Sequence, residues 1–187
     1  MHFIRFLVAI FLLIAVPALA VQNCQADIPQ STPTADFTDN SDGTVTHTKT
    51  GLIWQRCLLG ESWNGTACSG TASTYAWLNT FPAAANSNLA GKTDWRLPSI
   101  KELLSIVETG CALPASNLAI FPSQGNDWLW SSTTYPSTPA TALVGSFDTG
   151  TVTNVTKGLT LKIRLVRDGK ALTPFDRLAD HTPDAPT

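Results

Sequence analysis

A strand that must stop and turn at once into a helix is written between Gly91 and Val107, GKTDWRLPSIKELLSIV. Asp94-Trp95-Arg96-Leu97 alternates polar and apolar side chains as a half-buried strand does. Pro98 has no N–H to give a ladder, so the strand ends there. Ser99 is a strong N-cap, and Glu102 three residues on completes the capping-box pattern. Ile100, Leu103, Leu104 and Val107 then recur at helical spacing, which predicts a helix over 99–108 with one buried face. A fold that contains this chain must bring a strand end and an amphipathic helix against the same core.

The first twenty residues read as a cleaved export signal: Arg5, an apolar run from Phe6 to Val16, then Ala18-Leu19-Ala20. The run is shorter than the roughly 20 residues a bilayer span needs. Val21-Gln22-Asn23 before Cys24 is not a lipidation signal, so no membrane anchor is expected. Loss of Arg5 leaves eleven bases against fourteen acids, a net charge of −3. Such a chain has no overall attraction for nucleic acid. The 167 residues that remain suffice for one domain with its own core. The expected location is the periplasm or the medium, with the cell surface as a site of association.

All four cysteines lie in the exported part, and an even count in an oxidising compartment predicts two disulfides. Of three connectivities, Cys57–Cys68 around a short loop together with Cys24–Cys111 across the domain is the expected pairing. Zinc is disfavoured, because the spacings of 33, 11 and 43 contain no CxxC and the histidines are scattered. No metal and no other cofactor is expected.

Residues 21–36 form a Pro/Gln/Thr-rich arm, 37–168 the folded domain, and 169–187, with Pro174, Pro183 and Pro186, a tail of disordered composition. An Asp-Gly turn at Asp42-Gly43 predicts a hairpin leading into the strand Leu52–Arg56. Residues 72–86 read as a helix with Trp77, Leu78, Phe81 and Ala85 on one face, kinked or ended by Pro82. Three late strands are expected: Trp128–Ser132, Ala142–Phe147 and Leu161–Arg167. Helices early and strands late, without βαβ alternation, indicate an α+β fold with an antiparallel sheet.

Four ordered stretches, FTDNSDGTVTHTKTGLIWQ, KTDWRLPSIKELLSIVE, WLWSST and LKIRLVRDG, resemble the bacterial domain family named after the C-terminal domain of a Legionella collagen-like adhesin. The resemblance runs from about Phe37 to Asp168. It implies a fold similar to C-type lectins and formylglycine-generating enzymes: two helices flanking a small, twisted antiparallel sheet with long loops, here stapled by disulfides. It also implies an exported protein that binds glycans in adhesion. Unlike the adhesin, the chain has no Gly-X-Y repeat.

Several residues are candidates for chemistry. The turn with Asp36, Asp39, Asn40 and Asp42 could offer oxygens to calcium. An EF-type register counted back from Gly43 nevertheless runs from Thr38 to Lys49, so a plain hairpin turn is the favoured reading. Catalysis is not expected. There is no Gly-x-Ser-x-Gly elbow, the last cysteine is Cys111, and Glu61, Glu102, Glu108 and Asp127 show no acid–base spacing. Trp54, Trp77, Trp95 and Trp130 read as core. Trp63 at the tip of the disulfide loop, Trp128 and Tyr135 are candidate aromatic contacts for a glycan, with local packing as the competing reading. Lys157, Lys162, Arg164, Arg167 and Lys170 concentrate late. Lys162 and Arg164 would share the outer face of a strand and could meet an acidic polysaccharide, unless they form an ordinary solvated face. The expected function is non-catalytic binding of a carbohydrate or other surface polymer. A structural or accessory subunit that contacts an envelope protein is the alternative, and an enzyme ranks third.

Overall fold

The computed structural model describes residues 22–123, 125 and 127–169. The leader and the tail from 170 onward, Lys170 included, lie outside the described residues. In chain order the elements are β1 (Asn23–Cys24), β2 (Phe37–Asp39), β3 (Thr44–His47), β4 (Leu52–Gln55), β5 (Glu61–Trp63), β6 (Cys68–Gly70), β7 (Thr74–Tyr75), α1 (Trp77–Ala85) and α2 (Ile100–Leu104). There follow β8 (Cys111–Ala112), β9 (Trp128–Thr134), β10 (Thr141–Ser146), β11 (Val152–Thr156), β12 (Leu161–Lys162) and β13 (Val166–Asp168). The fold is α+β, as expected.

Two sheets carry the architecture rather than one. The first is antiparallel throughout, in the order β13-β4-β3-β2, and the second runs β11-β10-β9-β12-β7. Within the second sheet β12 and β9 are parallel. The β2–β3 hairpin turns where expected, at Ser41 (φ 61°) and Gly43 (φ 84°). A side chain at Gly43 would be strained by its φ, with Trp63 Cβ in van der Waals contact at 3.4 Å.

The two sheets meet through the segment 161–168. It begins as β12 in the second sheet and ends as β13 in the first, and Ile163, Arg164 and Leu165 between them are buried. This corrects the expectation of a single strand over Leu161–Arg167. A chain that crosses between two sheets has neighbours on every side, so strand alternation no longer sorts core from solvent. One core cluster joins Phe37, Trp54, Leu103, Ile106, Phe121 and Phe147, and the other joins Trp77, Trp95, Trp130, Val144 and Ile163. Trp54, Trp77, Trp95 and Trp130 are thus core, as read from the sequence.

The Gly91–Val107 segment behaves locally as written. Ser99 Oγ accepts from the Glu102 N–H and Glu102 Oε2 accepts from the Ser99 N–H at 2.7 Å, closing both halves of the capping box. Arg96 forks onto Glu102 at 2.9 and 2.7 Å and reaches Asp168 at 2.9 Å. Two limits differ from expectation. The strand reduces to a bridge of Arg96 with Val166, and the helix ends at Leu104. Ser105 Oγ donates to the Glu102 C=O there, and Ile106 and Val107 enter the core from a turn.

α1 begins at Trp77, because Thr74–Tyr75 is taken up as β7 against β12. Its buried face is Trp77, Thr80 and Ala84, while Leu78 is 70% exposed. Thr80 is tolerated inside because its hydroxyl donates to the Trp77 C=O at 2.6 Å. Pro82 lies within the helix, which runs on to Ala85. Both expected disulfides are present, Cys24–Cys111 and Cys57–Cys68. Among the described residues no helix is long and apolar enough to cross a membrane.

Candidate functional site

The five residues expected to touch a ligand are dispersed. Trp63 is not at a loop tip. It lies in β5 opposite Cys68, half-buried, with the Arg56 guanidinium 4.2 Å from its ring centroid. Trp128 opens β9 and is 39% exposed, but Tyr135 follows the far end of that strand. At about 3.3 Å per residue the two rings are roughly 20 Å apart along the sheet. Lys162 lies opposite Leu129 in the ladder, so its side chain leaves on the face away from Trp128, and its Nζ pairs with Asp127 at 2.7 Å.

Arg164 requires the clearest correction. It is 0% exposed, and its Nη1 donates to the Gln55 C=O at 2.7 Å and to the Arg56 C=O at 2.5 Å, with the guanidinium over the Phe121 ring. Burial pushes its pKa down to about 9, opposed by the charges of Glu61 and Asp127, so it remains cationic at neutral pH. It is a clamp on the crossover, not part of a surface patch. The other late cations are also apart. Lys157 donates to the Pro139 C=O, and Arg167 forks onto Asp94 at 2.7 and 3.0 Å.

The acidic turn is tied up in itself. Asp42 Oδ1 accepts from the Thr44 N–H and hydroxyl, Asp39 Oδ1 accepts from the Ser41 N–H, and Asp39 Oδ2 pairs with Arg56 at 2.5 Å. The Ser41 N–H holds the Asp39 carboxyl below the usual range, with burial opposing and Arg56 assisting. Among the described residues the one group of three metal-capable side chains is Cys57, Glu61 and Cys68, whose two sulfurs are already joined to each other. The four acids weighed for hydrolysis are held separately: Glu61 by the Leu58 N–H, Glu102 in its cap, Glu108 by Ser31 and Thr32, and Asp127 by Lys162.

Three distant segments do converge beside this turn. A cleft of about 180 Å³ is lined by Asn40, Asp42 and Thr44 from the hairpin, by Ala90, Lys92 and Trp95, and by Ile53 and Arg167. Asn40 is fixed by a Thr44 hydroxyl acceptor at 2.9 Å and a Thr46 hydroxyl donor at 3.1 Å. The Asp94 carboxyl is held low, first by its hydrogen bonds from Arg167. Lys92 is exposed, and among the described residues it makes no ion pair. Hydrogen-bonded amide and carboxylate groups and an exposed ammonium thus line one small concavity, which suits a ligand with both hydroxyls and an acidic group. Sequence reasoning noticed Asp42 and Arg167 in other roles and missed Lys92. Nothing local links residues 40–44, 90–95 and 167; the ladders of β3 and β13 on β4 and the bridge of Arg96 with Val166 bring them together.

The sequence model of a family described as the Lcl C-terminal domain matches residues 43–167. No curated protein matches the chain.

Proposed function

The chain belongs to the Lcl C-terminal domain family, and from that premise we propose that it is an exported, non-catalytic adhesin-like module with a C-type-lectin-like fold. Its ligand is an acidic glycan or similar surface polymer, held in the cleft between Asn40, Asp42 and Lys92. The cleft carries the reading: hydroxyls meet the oriented Asn40 and Asp42, and a carboxylate or sulfate meets the Lys92 ammonium. Two disulfides, and described residues without a membrane-crossing helix, are consistent with a module that works in the periplasm or outside the cell.

Four of the carboxyls are not poised to act as general acids. Asp39, Asp94, Glu102 and Glu108 are all displaced downwards, whereas a general acid at neutral pH needs a carboxyl displaced upwards. The test is retention of the oxidised protein on arrays of neutral, carboxylated and sulfated glycans. Lys92→Ala and Asn40→Ala should each weaken retention on acidic glycans about tenfold or more, with salt sensitivity lost in the lysine variant. Trp128→Ala and Lys162→Ala should leave it within about twofold. Equal retention by all variants, or cleavage of an arrayed glycan, would overturn the reading.

A further inference from the structure

The second sheet ends in an open edge at β11. Ser146 N–H donates to the Thr151 C=O at 2.8 Å and Lys157 N–H donates to the Ala140 C=O at 3.1 Å. In the antiparallel register of β10 on β11 these bonds turn the main chain of residues 151, 153, 155 and 157 inward. The main chain of Val152, Asn154 and Thr156 therefore points away from the sheet. Thr156 C=O accepts from Leu159 N–H in the next turn, but among the described residues no partner takes the N–H and C=O of Val152 and Asn154. All three residues are exposed.

Open edges normally carry a charge, a proline, a bulge or a cover that prevents pairing. The other edges of the two large sheets have such protection. β2 ends on the ion-paired Asp39, β13 is bridged by Arg96, and β7 is two residues long. β11 reads Val-Thr-Asn-Val-Thr, with no charge, no proline and an unbroken register on β10. Four of its five residues are β-branched, and the strand is regular along its whole length.

We propose that β11 is a docking strand for a second copy of this chain, paired antiparallel about a two-fold axis at Asn154. In that register Asn154 faces itself and Val152 faces Thr156, so the outward N–H and C=O groups of both copies fall on hydrogen-bonding positions. The uncharged strand brings no like charges across the axis. The chain's own C-terminal segment is the poorer occupant. Residues 170–187 carry Pro174, Pro183 and Pro186, and the described chain ends at Gly169, bonded to Gly51 at the edge of the other sheet. The inference does not rest on the glycan reading. If both hold, two clefts per assembly would raise avidity for a repeating polymer.

Sedimentation equilibrium of the oxidised, signal-processed chain tests it. The expected result is a concentration-dependent dimer whose dissociation constant rises roughly tenfold or more in Asn154→Pro, with an unchanged near-ultraviolet spectrum. Asn154→Cys carries the test if the proline variant misfolds. Facing Cα atoms about 5.5 Å apart are within disulfide reach, so N154C should oxidise to a reducible dimer faster than the exposed loop control Ser137→Cys. A wild-type monomer at roughly millimolar concentration, a dimer indifferent to both substitutions, or cross-linking no faster than the control would overturn the inference. So would dimerisation that appears only after removal of residues 170–187, since that would assign the edge to the chain's own tail.

Discussion

Glu108 and Arg164 are both withdrawn from water, at 2% and 0% exposure, yet they hold different kinds of structure. Glu108 fastens an irregular arm to the body. Its Oε1 accepts from the Ser31 N–H at 2.9 Å, the Ser31 hydroxyl at 3.1 Å and the Gly110 N–H at 3.1 Å, and its Oε2 accepts from the Thr32 N–H and hydroxyl at 2.9 Å. Arg164 fastens the crossover between sheets to the end of β4 through two carbonyls and an aromatic face. In each case main-chain dipoles of the required sign point at the buried charge. Each clamp also has a disulfide beside it, the long bridge next to Glu108 and the short one next to Arg164. The difference lies in what fails when the clamp is lost. The arm can come away from an intact body, whereas the crossover belongs to both sheets.

The largest effects should come from the two bridges. They close loops of 87 and 11 residues. In the chain-entropy account these are worth about 4.5 and about 2.8 kcal/mol respectively. Replacing Cys24 and Cys111 with serine should therefore lower the urea stability more than replacing Cys57 and Cys68. A reversed order would mean that the arm contributes little to the cooperative unit. Next comes Arg164→Ala, which leaves the Gln55 and Arg56 carbonyls buried and opens a void. About 3 to 4 kcal/mol should be lost, with both sheets unfolding together in the urea transition. Arg164→Lys should recover part of this, because an ammonium keeps the charge without the fork. Glu108→Gln is milder, at about 1 to 2 kcal/mol, since an amide keeps the shape but its nitrogen cannot accept. Its signature is local: faster amide exchange at Ser31, Thr32 and Gly110, with the sheets still protected.

The contrast also explains what could be read in advance. The capping box was legible because Ser99 and Glu102 sit within one turn, and no distant part of the chain can change that geometry. The disulfides were legible because four cysteines allow few pairings, and one pair spans a short turn-rich loop. Arg164 was misread because alternation presumes one strand in one sheet, while residues 161–168 serve two. The face of α1 was misread by a shift of start: with Thr74 and Tyr75 in a strand, the helix turns Thr80 inward and leaves Leu78 outside. Glu108 was weighed as an acid, and nothing near it in sequence showed that Ser31 and Thr32 would surround it. The cleft was the least legible part, because its walls come from segments more than forty residues apart.

Acidification separates the two clamps with the smallest signal. Burial alone would raise the Glu108 pKa, but the hydrogen bonds from Ser31, Thr32 and Gly110 outweigh it, and the net displacement is downward from 4.5. A carboxyl lower in the folded state than in the unfolded one stabilises fully above its unfolded value. That stability is lost as pH falls through the folded value. The arm should thus loosen below about pH 4.5, while Arg164 stays protonated throughout and the crossover is unaffected directly. His47 adds an earlier, separate loss. Burial depresses its pKa below 6.5, with Asp36 opposing and Lys49 assisting, so the unfolded chain takes up its proton first as pH drops. Its imidazole is stacked on Phe37 at 4.7 Å and its Nδ1 meets the Thr50 hydroxyl at 3.0 Å. The melting temperature should therefore fall in two windows, one just below about pH 6.5 and one below about pH 4.5. Glu108→Gln should make the lower window shallower, with the remainder coming from the depressed carboxyls of Asp39, Asp94 and Glu102, and should leave the upper one unchanged. A variant whose acid limb matches the wild type would show that another carboxylate, not the Glu108 clasp, sets the low-pH limit of the arm.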